Sequence, residues 1–442
     1  MAGTASTPAL ALPLLCASAL RSRVLAIRTA AALATVVVLA GCSASPTEPA
    51  PSASNSLPEA CAAAAETVVQ AAGEVVAAYA PEAVEAAGAT PAEPDGDPLG
   101  EAVETAIAER DLLGCNPSVF RSDIAAGLDE IEADGPLAAA VQRRVTASIL
   151  GTGRTEPGEW MLAAGADLHD AVARAVEGTT IVLPAGTWEL DETLVLLDGV
   201  LLRGAGRDAT TLRSSAGEAA VVAATASLVR IESLTVEVVG DQPASAVVGG
   251  PNASIALTEV RLAGAVVGEA GEGGAGLLLS APGDEASGGG TTLEVTDSLL
   301  EGNGWAGIAV SGGHRVSIVS TAFVGNGDAG MLFLDQSSGS VRSSTFIDNG
   351  VGIAATGSAT PTWLGSSVSG GAVGLQLDAS AMPVIDGMTI TGTSSAAVIF
   401  GGESGGRIEG TNCPDVPYGI VIADTAAPTL GANECAIARG GE

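Results

Sequence analysis

The 442-residue chain contains no lysine: its 18 basic residues are all arginine, against 51 Asp and Glu, for a formal net charge of −33. That absence removes any Schiff-base former, lysine base or phosphate-cradling lysine. So negative a surface also repels nucleic acid and anionic lipid headgroups, and no nucleic-acid partner is expected. The excess charge reads either as a solvated, soluble shell or as an acidic patch made for cations. Aromatic residues reach only 2%. What fills the chain instead is small, with 59 glycines and many alanines and β-branched residues, the composition of short strands joined by many turns.

From residue 304 onward the chain repeats every 22 or 23 residues, with three apolar columns in register through six units. The first reads Ile308, Met331, Ile353, Leu375, Val398, Ile420; the second Ile318, Val341, Trp363, Ile385, Ile408, Leu430; the third Phe323, Phe346, Val368, Ile390, Cys413, Cys435. Each unit is three short strands with turns between them. None can bury its own apolar face, so each must stack on its neighbours as a coil of a parallel β-helix.

Cysteine placement points to export. Arg21, Arg23 and Arg28 precede an apolar run, Thr29 to Ala40, that is too short for a bilayer of about 30 Å but suits a signal-peptide core. It closes with Leu39-Ala40-Gly41-Cys42, which resembles the lipobox of bacterial lipoproteins. The resemblance implies a signal peptide over 1–41 and a lipidated Cys42 as membrane anchor, placing the chain at the cell envelope, on the outer membrane or cell surface. An ordinary cleaved signal is the alternative. Residues 42–57, rich in Pro and Ser, read as a flexible tether. Four cysteines remain. Cys413 and Cys435 share a column one coil apart, about 4.8 Å, within disulfide reach, and Cys61 pairs with Cys115 by elimination. Reduced cysteines acting as small core residues are the alternative.

Between tether and coils, 58–150 reads as a small all-α domain of four amphipathic stretches, Pro58–Tyr79, Leu99–Leu113, Pro117–Ile131 and Pro136–Leu150, acting as spacer or lid or as an independent binding module. A short helix, Asp167 to Val176, then precedes Thr180-Ile181-Val182-Leu183-Pro184-Ala185-Gly186-Thr187-Trp188 and Leu202-Arg203-Gly204-Ala205-Gly206. This entry is similar to that of the pectin lyase-like β-helix proteins. The resemblance implies a right-handed parallel β-helix over 158–440, of about ten or eleven coils and roughly 50 Å at strand spacing. Its handedness agrees with the crossover rule.

In that superfamily active residues project outward from one sheet. The outward positions beside the first column are Ala309, Leu332, Ala354, Gln376, Ile399 and Val421, then Ser311, Leu334, Thr356, Asp378, Gly401 and Ala423, a face nearly bare of acid, base or nucleophile. The remaining catalytic candidates are His314 and Arg315 in a turn, with Asp335 and Asp378 two coils apart, able in principle to act as acid and base across a sugar bond. Trp305 is a candidate sugar-stacking residue, while Trp363 belongs to an apolar column and reads as core. Asn303, Asn326 and Asn349 form an amide ladder. The glycines Gly307, Gly330, Gly352, Gly374 and Gly419 repeat because a tight turn needs them. The acidic insertion Gly268 to Gly290, with Glu269 and Glu272, reads as a disordered solvent loop, or else as the place for ligand or cation contacts; calcium is conceivable there, but no residue pattern calls for a metal or cofactor. A polysaccharide or other extended surface ligand is the expected partner, with a polysaccharide lyase or glycoside hydrolase, or a purely structural rod, as alternatives.

Overall fold

The computed structural model describes residues 57–81, 98–197, 199–224, 228–250, 253–279, 292–423 and 425–439. The signal segment, Cys42 and the tether up to residue 56 lie outside the described residues. Residues 55–442 form one compact unit.

Four helices lead: α1 (Leu57–Ala77), α2 (Pro98–Leu113), α3 (Pro117–Asp129) and α4 (Gly135–Ile149). Alanine and valine at helical spacing give α1 a buried stripe of Ala64, Ala65, Val68, Ala72 and Val76, set against Phe120, Ile124 and Leu128 of α3 and Val141 and Val145 of α4. Although α1 is long and apolar enough to cross a membrane, this stripe makes it the core helix of the group. Asn116 starts α3, its Oδ1 accepting from the amides of Ser118 and Val119, with Pro117 in the first turn where a missing N–H costs nothing. Cys61 and Cys115 are disulfide-bonded, Cα atoms 5.8 Å apart, and tie α1 to the end of α2.

Beyond α4, a seven-residue helix, α5 (Leu168–Arg174), is capped by Asp167, and α4 is pinned against the first coil by an Arg143–Glu192 ion pair at 2.6 Å. Helices therefore cover a sheet edge that would otherwise be open to pairing. From Glu159 to Arg439 the chain winds as a right-handed parallel β-helix, its strands stacked into sheets of 12, 11 and 9. All three sequence columns are register columns: Ile308 pairs with Met331 and Met331 with Ile353, Ile318 with Val341 and Val341 with Trp363, Phe323 with Phe346. Inside, the Phe323 and Phe346 rings stack at 4.5 Å and Trp363 is fully buried. The bridge between Cys413 and Cys435 closes the last coil, Cα atoms 5.0 Å apart.

The asparagine ladder is present and buried. Asn303 Nδ2 donates to Asn326 Oδ1 at 2.9 Å and Asn326 Nδ2 to Asn349 Oδ1 at 2.8 Å, so each amide satisfies the next coil's. A second column of hydroxyls occupies the corner between the 12- and 9-strand sheets. There Ser320 and Ser343 take left-handed φ of 50° and 48°, and the following Thr321 and Ser344 donate to the carbonyls two residues back.

Two expectations are corrected. Gly307, Gly330, Gly352, Gly374 and Gly419 do not have positive φ; they recur because coils approach too closely for a side chain. A Cβ on Gly330 would lie 2.6 Å from Phe346 Cδ1 and 2.7 Å from the Gly352 carbonyl oxygen. Nor is Gly268–Gly290 one long insertion. Residues Val267 to Gly273 make a tight antiparallel hairpin, and Ala275–Leu279 is a regular strand pairing with Val247–Gly249 and Ala306–Val310. Glycine-rich sequence hid a coil strand after the hairpin; residues 280–291, with the rest of that acidic run, lie outside the described residues.

Candidate functional site

The first of the expected outward rows is a register column of the 11-strand sheet, although Val195 and Ala309 within it are buried. Val195, Val222, Val248, Leu278, Ala309, Leu332, Ala354, Gln376, Ile399 and Val421 form one register ladder. Nine of these ten are apolar, so the face offers almost nothing with which to move a proton.

His314 does not face outward. It occupies the corner column continued by Ser337, Ala359, Ala381 and Ser404, and only 2% of it is exposed; burial lowers its pKa below the ordinary histidine value. Turns are usually wet, but a column of otherwise small residues leaves room inside this corner for an imidazole. Arg315, the next residue, opens a strand and is exposed. Asp335 is an exposed turn residue with φ of 54°, and the Asp378 carboxylate accepts from the Ala379 amide at 2.7 Å. The two aspartates are two coils apart, about 10 Å at strand spacing, and the buried imidazole does not join them on the surface. No acid–base set assembles from these four residues.

Trp305 and the acidic hairpin are brought together. The Trp305 amide donates to the Gly274 carbonyl at 2.8 Å, and a Cβ on Gly304 would lie 3.2 Å from Val267 Cγ1. The half-buried indole thus sits at the base of the hairpin that exposes Glu269 and Glu272. Among the described residues no group of three or more His, Cys, Asp or Glu converges as a metal site.

The polar face of the coils is the outer side of the 12-strand sheet, which the reading of the columns did not consider. On the strands Ser254–Thr258, Thr292–Thr296, Arg315–Val319, Ser338–Arg342 and Thr360–Leu364, alternate residues point out in three in-register rows. The rows are Ser254, Thr292, Arg315, Ser338, Thr360; Ala256, Glu294, Ser317, Ser340, Thr362; and Thr258, Thr296, Val319, Arg342, Leu364, none of them buried. Nine of the fifteen carry hydroxyls. Successive strands set them about 4.8 Å apart along the stack. Elsewhere on this sheet Arg203 pairs with Glu232 at 3.3 Å and Arg407 with Glu409, while Arg230, in register with Ala256, is exposed and has no ion pair among the described residues. Arg315 and Arg342 are exposed and have no carboxylate partner among the described residues. The signal available in sequence was the alternation of Ser and Thr with the second apolar column, as in Thr360-Pro361-Thr362-Trp363. Glu294 is the grid's single carboxylate, so the grid holds no acid–base pair for glycosidic cleavage.

A family profile described as a right-handed β-helix region matches residues 285–439. Among curated proteins none matches the sequence. Similar solved structures include the A-module of the mannuronan C-5 epimerase AlgE6 from Azotobacter vinelandii, with 17% identity, a TM-score of 0.39 and coverage of 61% of this chain and 89% of that one. The pectate lyase Pel9A has 13% identity, a TM-score of 0.37 and coverage of 60% and 71%. The A-module of AlgE4, also from Azotobacter vinelandii, has 14% identity, a TM-score of 0.34 and coverage of 62% and 91%.

Proposed function

We propose that the β-helix is a non-catalytic binding module for an extended polysaccharide, taken along the outer face of the 12-strand sheet, and that an acylated Cys42 holds the chain at the bacterial cell envelope. The observation that carries the binding reading is the pair Arg315 and Arg342, exposed and without a carboxylate partner among the described residues, within a grid of hydroxyls on a strongly acidic chain. Hydroxyls both donate and accept, matching a ligand rich in hydroxyls. Guanidinium groups take carboxylate or sulfate in two parallel hydrogen bonds, so a glycan bearing acidic groups fits better than a neutral one. A regular face many strands long suits a polymer more than a small metabolite. Anchoring is supported by the Leu39-Ala40-Gly41-Cys42 motif and its apolar run.

The test is retention of the full chain by immobilised acidic and neutral polysaccharides, with reducing-end and ultraviolet assays for products. Acidic glycans are expected to retain it without cleavage. Arg315→Ala combined with Arg342→Ala is expected to weaken retention at least tenfold, about the worth of one lost charged hydrogen bond. Indifference to that double variant overturns the site, and products overturn the non-catalytic reading. Cys42→Ser should move the chain from the membrane to the soluble fraction; an unmodified Cys42 in the mature protein removes the anchor.

A further inference from the structure

The helical part carries a cleft that the coils do not explain. It measures about 320 Å³ and opens where α2, α3 and the end of α4 meet. Its surface is of mixed polarity, with Val68 from α1, Val103 and Ile107 from α2, Phe120 and Ile124 from α3 and Ile149 from α4 supplying the apolar part. Ile107 remains 40% exposed, and Val119 and Leu112, at the same α2–α3 corner, are 55% and 87% exposed. Of these three, Ile107 belongs to the cleft wall itself.

Two of the helical part's four arginines, Arg110 and Arg121, line the same cleft. The other two are engaged with the first coil: Arg143 holds Glu192, and Arg144 donates to the Ala175 carbonyl. Among the described residues Arg121 makes one bond, from an Nη to the Leu150 carbonyl at 2.6 Å, which fixes the guanidinium while its other donors have no partner there. Arg110 is held by Asp111 through Nε and Nη at 2.8 and 2.6 Å and lies 6.0 Å from the Phe120 ring centroid. Asp111 offsets the Arg110 charge, so the net positive group is Arg121.

A cleft that offers apolar side chains beside one oriented guanidinium with no carboxylate partner among the described residues fits an apolar body with one anionic head. Its volume is at the low end of ligand sites, roughly 300–1,000 Å³, which suits one chain and not two. We infer that the cleft between α2, α3 and α4 binds a single-chain aliphatic carboxylate, the chain against Ile107, Phe120 and Ile124 and the carboxylate on Arg121. This site is independent of the glycan face.

The experiment is calorimetric titration of the full chain, carrying Cys42→Ser so that no covalently attached acyl chain competes, with decanoate, decanol and decyltrimethylammonium. Decanoate is expected to bind at least tenfold more tightly than decanol, the difference a charge-assisted hydrogen bond supplies, and the cation not to bind. Arg121→Gln should erase the preference for decanoate over decanol while leaving decanol binding intact. Ile107→Gln should weaken both, with an unchanged melting curve showing that the helices still fold. Equal affinity for decanoate and decanol, a preference that survives Arg121→Gln, or no heat from any of the three overturns the assignment.

Discussion

In the regular coils from residue 304 onward, a buried side chain is held by partners 22 or 23 residues away, one layer up and one layer down; in the helices at the other end of the chain, the partners are tens of residues apart and no layer repeats. The coils therefore tolerate no error in spacing. Each inward glycine, aromatic ring and ladder amide must meet its counterpart in the next layer, and the chain enforces this with a fixed period. The helices are held by a broad apolar stripe on α1, which adjusts more easily, and by a covalent tie between Cys61 and Cys115. Regular layering replaces the cross-link through most of the stack, and the second bridge appears only where the layers end.

Removing the helical tie should have the largest effect. The loop between Cys61 and Cys115 spans 54 residues, worth about 4 kcal/mol on the chain-entropy account. Cys61→Ala with Cys115→Ala should lower the helical melting transition seen by circular dichroism and leave the coil transition in place. If both move together, helices and coils unfold as one cooperative body and the contrast is lost. Next comes layer spacing. Gly330→Ala puts a methyl against Phe346 and the Gly352 carbonyl and should cost about 3 kcal/mol. Gly325→Ala, five residues earlier, meets no atom within 4 Å and faces only a left-handed φ of 61°, about 1 kcal/mol. Denaturant titration of the two variants separates close approach from backbone strain; equal losses contradict the account of the glycine column.

The smallest effect is expected at His314. Its folded pKa lies below the unfolded value of about 6.5, because burial disfavours the imidazolium. Its contribution is therefore fully present above that pH and is lost as pH falls towards the folded pKa, where the unfolded chain binds the proton first. His314→Ser, matching Ser337 and Ser404 in the same column, should flatten stability between neutral and mildly acidic pH relative to the native chain. Parallel curves for the two proteins refute the assignment.

The stack was legible in sequence wherever its period was regular, since Ile308, Ile318 and Phe323 recur with identical steps and each recurrence is a register pair. Legibility failed where one residue type serves two purposes. Glycine at 330 and glycine at 325 look alike as letters, yet one is excluded by a neighbouring layer and the other by its own φ. Leu277 and Leu279 lie among glycines and so looked like loop. His314 lies in a turn, where a residue is usually wet, and only the inward direction of its column shows it buried. The hydroxyl grid went unread because Ser and Thr on a strand are ordinary surface residues. Only the pairing that lines them up, with Arg315 and Arg342 left without carboxylates among the described residues, gives them a joint meaning.

The bridge at the last coil also sets how the molecule yields to force. Peeling the stack from its C-terminal end frees one layer at a time, and 22 residues drawn out fully add about 75 Å of contour. Because Cys413 and Cys435 are joined across 22 residues, the first such length is closed into a covalent loop and contributes almost no extension. A pull on that end must instead break into the next layer before the chain lengthens, so the end with the fewest neighbours is also the one that cannot unwind by itself.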